Sequence, residues 1–134
     1  MPLRRRQGWL VAMQPHILFV DDEAPIRELL SLFFRKKDYR VTTATTAEEG
    51  LRLLENGEFD LVILDVNLAG EDGLKLLKRV KAERPTLPVI LFTGLGYQPE
   101  LLKRARQLGA NGFMAKTEPL GDLFAAVQKL VHTA

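Results

Sequence analysis

The chain has 134 residues, 46% of them hydrophobic and 27% charged, which fits one ordinary globular domain with room for a real core. Its net charge is +2, but Arg4, Arg5 and Arg6 supply three positive charges; the remainder, +2 less 3, carries −1, so no nucleic-acid-binding character follows. There is no cysteine, which excludes disulfides and thiolate metal sites, and no apolar run approaches the roughly 18 residues of a membrane span.

Residues 1–15 show no sustained period and end at Pro15, so they read as a disordered basic leader. The apolar part, Trp9 to Met13, is too short for an export signal, and a cytoplasmic location is expected. His16-Ile17-Leu18-Phe19-Val20 reads as a continuous apolar strand running into Asp21-Asp22-Glu23. Pro25 suits the first turn of a helix, and Ile26, Leu29, Leu30 and Phe33 follow at helical spacing up to Lys36-Lys37. Arg40–Ala44 is a short β-branched strand. Thr46, with Glu49 three residues on, opens a second helix as a capping box; Ala47, Leu51 and Leu54 face inward and Asn56-Gly57 ends it.

Leu61-Val62-Ile63-Leu64 forms the central strand, closed by Asp65 and a polar, glycine-containing turn through Gly73. A third helix runs from Gly73 to about Arg84, before Pro85, and strand four is Pro88–Thr93. A helix from Pro99 to Leu108 ends at Gly109, Gly112–Ala115 is strand five, and a last helix spans Pro119 to Thr133. Strands that alternate with helices across short connections predict a parallel sheet covered on both faces. The expected architecture is a flavodoxin-like doubly wound (βα)5 fold, strand order 2-1-3-4-5, occupying residues 16–133.

In such a sheet the carboxyl ends of the strands share one edge, which here collects Asp21, Asp22, Asp65, Thr93 and Lys116. Each taken singly has a plain structural role: the acids as helix caps, the threonine in a turn, the lysine as a solvated charge. Together they are hard to obtain by accident. Three carboxylates between adjacent strands repel, at about 4 Å on the order of 4 kcal/mol per pair. A hard divalent cation with oxygen ligands relieves that, and a site with few carboxylates favours Mg²⁺ over Ca²⁺.

This set resembles the receiver domain of bacterial response regulators. The resemblance rests on Val20-Asp21-Asp22-Glu23, Leu64-Asp65-Val66-Asn67-Leu68 through Asp72-Gly73, Thr93-Gly94, and Gly109 through Lys116. It implies that Asp65 accepts a phosphoryl group from a histidine kinase or phosphotransfer protein, and that the chain is a signalling module and not an enzyme. It further implies Mg²⁺ held by Asp22, Asp65 and the backbone carbonyl of Asn67, with Asp21 acting through water. Lys116 and Thr93 would contact the phosphoryl oxygens, and Phe113 occupies the family's aromatic switch position on the helix 4–strand 5–helix 5 surface that meets an unknown downstream protein.

Three positions depart from the family's usual pattern: Thr117 stands where a proline follows the lysine, Ala69 where a proline follows the phosphoacceptor, and Phe113 lacks a hydroxyl. Without proline, a cis bond after Lys116 would cost roughly 2.5–4 kcal/mol, so the loop either stores strain or runs trans with Lys116 placed differently. Two other readings use the same scaffold. A flavodoxin-like cofactor binder wants a Gly/Ser/Thr-rich loop after strand one, where Asp21-Asp22-Glu23 stand; a phosphohydrolase wants a second acid at the position of Asn67. A pseudo-receiver that binds without being phosphorylated is the remaining alternative.

Overall fold

The computed structural model describes residues 14–68, 71–94 and 98–131. The leader expected over residues 1–15 falls outside this range up to Met13, as do Ala69, Leu95 and the last residues of the final helix. Five strands, β1 (His16–Val20), β2 (Arg40–Ala44), β3 (Leu61–Leu64), β4 (Val89–Thr93) and β5 (Gly112–Ala115), form one parallel sheet in the order β2-β1-β3-β4-β5. Between them run α1 (Ala24–Lys36), α2 (Ala47–Asn56), α3 (Gly73–Glu83) and α4 (Pro99–Gln107), and α5 (Leu120–Val131) closes the chain. The expected doubly wound fold and strand order are both present.

Side chains alternate across each strand, and that alternation sorts the core into two layers. Leu18, Val20, Val62, Leu64, Val89 and Leu91 point to the face covered by α2, α3 and α4. Ile17, Phe19, Leu61, Ile63, Ile90 and Phe92 point to the opposite face, under α1 and α5. Both layers are almost fully buried, which is why these strands read as continuous apolar runs and not as alternating ones.

Local chemistry fixes the helix ends. The Thr46 hydroxyl accepts from the Glu49 N–H at 3.1 Å, the expected cap of α2. Gly109, after α4, has a φ of +98°, which a residue with a side chain rarely adopts. The α1 face needs correction. Leu30 and Phe34 enter the core and the half-buried Ile26 and Phe33 pack against it, while Leu29 is 52% exposed. The run Leu29 to Phe34 is apolar at five of six positions, so spacing alone leaves the buried face ambiguous. Packing decides it: Phe33 and Phe34 both lie against Phe124 of α5, ring centroids 6.1 and 5.9 Å away, and Phe34 goes deeper into the core. None of the described helices is long and apolar enough to cross a membrane.

Candidate functional site at the carboxyl edge of the sheet

Three residues lie one position past the end of a strand and are fastened there in the same way. The Asp21 N–H donates to the Ala44 carbonyl (3.0 Å), the Asp65 N–H to the Val20 carbonyl (3.0 Å) and the Lys116 N–H to the Thr93 carbonyl (2.7 Å). Each strand ladder thus runs one rung further than the strand itself, onto the last residue of the neighbouring strand. Side chains held on extended sheet rungs have little freedom to drift, which suits a site that works by position.

The side chains converge. Lys116 Nζ lies 2.8 Å from Asp21 Oδ2, 3.0 Å from Asp65 Oδ2 and 3.0 Å from Glu23 Oε1. Asp65 Oδ1 accepts the Asn67 N–H at 3.2 Å, and Asp21 Oδ1 accepts the Glu23 N–H at 2.9 Å. Arg27 donates to the Asp21 carbonyl at 2.8 Å, tying the first turn of α1 to the same corner. Asp21 and Asp65 are buried, Asp22 is half-buried and Glu23 is exposed.

Burial pushes the Asp21 carboxyl above its ordinary value, and Asp65 adds to this, against the Lys116 ammonium and the Glu23 N–H. Burial by itself would lower the Lys116 ammonium; its contacts with Asp21, Glu23 and Asp65 outweigh that and raise it. The lysine is therefore a fixed cation at neutral pH. It cannot satisfy everything around it. Asp21 Oδ2 is fully buried and, although close to Nζ, lies off the line of any hydrogen bond. One oxygen from each of Asp21, Asp22, Glu23 and Asp65 falls within 4.8 Å of the others. A single ammonium against four carboxylates leaves a net negative, all-oxygen pocket in which the buried Asp21 Oδ2 is held by an ion pair alone. That donor set fits a hard divalent cation such as Mg²⁺.

The remaining expected residues are placed as follows. Thr93 is fully buried as the last residue of β4, in register with Ala115, the residue before Lys116. Asn67 is exposed and opens a two-residue antiparallel ladder, Asn67–Leu68 against Glu71–Asp72, in the loop after β3. Phe113 is half-buried against the α2–α4 layer and lines a cleft of about 210 Å³ with Leu102, Ala105 and Arg106 of α4. Among the described residues no peptide bond is cis, so the bond to Thr117 is trans, and Lys116 still reaches Asp65.

Two contributors escaped sequence reasoning. Glu23 was visible only as the third acid of a run, and its contact with Lys116 spans 93 positions. Gly73 looked like a turn residue; a Cβ there would overlap the Asp65 carbonyl oxygen and lie 2.6 Å from that of Val66. The Asp72-Gly73 pair in the motif was the available signal, and it pointed to a close backbone approach.

Known proteins share this arrangement. The response regulator receiver domain family matches residues 17–128. Sporulation initiation phosphotransferase F of Bacillus subtilis is 33% identical over 117 residues, covering 87% of this chain and 94% of that protein. The transcriptional activator protein PfeR of Pseudomonas aeruginosa is 35% identical over 118 residues, covering 88% of this chain. This chain spans 38% of PfeR and 25% of the Escherichia coli transcriptional regulatory protein GlrR. Among solved structures, a CheY-like receiver domain protein from Methanospirillum hungatei superposes with a TM-score of 0.82 at 30% identity, covering 87% of this chain and 94% of that one. The receiver domain of NtrX from Brucella abortus gives 0.82 at 32% identity, covering 88% and 99%. With the match running from β1 into α5 on a sheet of the same winding, the chain belongs to the response regulator receiver domain family of two-component signalling.

Proposed function

We propose that this receiver domain takes a phosphoryl group onto Asp65 from a phosphohistidine of a sensor kinase or phosphotransfer protein. A carboxylate oxygen of Asp65 attacks phosphorus, the P–N bond breaks, and the imidazole leaves with a proton, giving an acyl phosphate. Asp22, Asp65 and the Asn67 carbonyl would hold Mg²⁺, with Asp21 acting through water; bound there, the ion neutralises charge on the transferring phosphoryl oxygens. Lys116 offers a fixed positive charge to the same oxygens, as a point charge and not a fork. The buried Thr93 hydroxyl and the half-buried Phe113 ring are the residues through which the α4–β5–α5 surface would respond and meet a downstream protein. Because Asp65 is consumed in the transfer, the reaction is stoichiometric signalling and not turnover.

The observation that carries this reading is the contact of Asp65 with Lys116 at 3.0 Å inside an acidic pocket at the winding reversal between β1 and β3. Mass spectrometry after incubation with acetyl phosphate and Mg²⁺ tests it. One added phosphoryl group, lost in Asp65→Asn, is expected; an unmodified wild-type chain at saturating donor would sink the assignment.

A further inference from the structure

Glu23 is the N-cap residue of α1, yet its side chain makes no capping hydrogen bond. Its backbone is pinned from both sides, the N–H by Asp21 Oδ1 and the carbonyl by the Arg27 N–H at 3.0 Å. The side chain is therefore presented from a fixed base, and it goes to Lys116. An ammonium has three hydrogens to give. Three carboxylate oxygens compete for them: Asp21 Oδ2 at 2.8 Å, and Glu23 Oε1 and Asp65 Oδ2 at 3.0 Å, the last two in hydrogen-bonding geometry. The three carboxylates also differ in access: the Asp21 and Asp65 side chains are 0% and 4% exposed, and that of Glu23 is 57% exposed.

Resting on the reading of Asp65 as phosphoacceptor, we propose that Glu23 is a positioning residue that occupies one Lys116 hydrogen at rest and yields it to the incoming phosphoryl group. An acyl phosphate on Asp65 brings new anionic oxygens into a pocket whose ammonium already has three carboxylate oxygens within 3.0 Å. Asp21 cannot withdraw, being buried on a sheet rung. Glu23 can, because its carboxylate is 57% exposed and water can replace the contact it gives up. Until it withdraws, its charge stands beside the donor's path and opposes an anionic phosphodonor. Glu23 thus sets how readily Lys116 becomes available.

Phosphorylation of the full chain by acetyl phosphate, followed by mass spectrometry across donor concentrations and at low and high salt, tests this. Glu23→Gln should react roughly three- to tenfold faster at low salt, from a lower half-saturating donor concentration and not a higher limiting rate, with the gain shrinking as salt rises. Glu23→Asp, which keeps the charge, should retain the wild-type salt response. Calorimetric titration with Mg²⁺ alone should show Glu23→Gln weakened only a few-fold at low salt, as the loss of one neighbouring charge requires, with the difference fading at high salt. Equal or slower reaction of Glu23→Gln while wild type is modified overturns this role and leaves Asp65 standing. Mg²⁺ binding in that variant that stays about tenfold or more below wild type at high salt also overturns it, making Glu23 a metal ligand, and an unmodified wild-type chain removes the Asp65 reading and this one together.

Discussion

Gly73 abuts Asp65 so closely that a methyl group on it would overlap the Asp65 carbonyl oxygen. The first residue of α3 also donates its N–H to the Val66 carbonyl at 2.7 Å. The start of this helix is thereby the rear wall of the loop that carries the acidic side chain. Gly73→Ala must push backbone, not a flexible side-chain tip, so a loss of about 1–3 kcal/mol is expected with slower phosphorylation of Asp65. Gly121→Ala is the control: nothing lies within 4 Å of a Cβ there, and in α5 alanine should be neutral or stabilising by up to about 1 kcal/mol. Chemical unfolding of both variants, with adduct formation measured in parallel, checks the contrast.

On the proposed reading a divalent cation would draw on the same carboxylates as Lys116, so the two would compete. Lys116→Met removes a positive charge beside Asp21 and Asp65 and should tighten Mg²⁺ binding by about tenfold while slowing phosphorylation. Asp22→Ala should weaken it. Removing Mg²⁺ with a chelator should lower the melting temperature of wild type and leave Asp22→Ala nearly unmoved, since a ligand that binds only the folded state stabilises it. Calorimetric titration and thermal melts give the answer, and weaker Mg²⁺ binding in Lys116→Met would contradict the argument.

Arg84, just past α3, donates to the Leu54 carbonyl in the last turn of α2 and to the Gly57 carbonyl at 3.0 Å. These are carbonyls that a helix end leaves without internal partners. Arg84→Ala should cost about 1–2 kcal/mol of stability without changing the rate of Asp65 modification, because the contact lies away from the acidic pocket. A phosphorylation defect at unchanged stability would show the reverse.

His16 opens β1 at the other end of the sheet, its ring nitrogens 3.0 Å from the Glu58 carbonyl and 2.7 Å from Thr42 Oγ1. Burial lowers its pKa from 6.5, aided by Arg40 and opposed by the Glu58 carbonyl and Asp60. The unfolded chain therefore binds this proton more readily than the folded one. Stability should fall as pH drops through 6.5 and level off below the folded-state pKa. The difference in melting temperature between wild type and His16→Gln, followed from pH 8 to pH 5, isolates this term, the range being about that over which histidine titrates. A difference that does not vary with pH would refute it.

Apolar period and punctuation were enough to read five β/α units, the strand order and the edge on which Asp21, Asp65, Thr93 and Lys116 meet. Those features are repeated along the chain: the central strands are apolar runs, α2, α3 and α4 end at glycine or proline, and a parallel winding sends every strand end the same way. Tertiary structure alone decided which flank of α1 is buried, because Leu29 to Phe34 is apolar on more than one side and only packing on the sheet and α5 leaves Leu29 and Leu32 outside. It alone decided that Glu23 leaves its helix cap for Lys116, that Gly73 has no room for a side chain and that Arg84 closes α2. Each of these is a single contact between distant positions, and a single contact leaves no period to read.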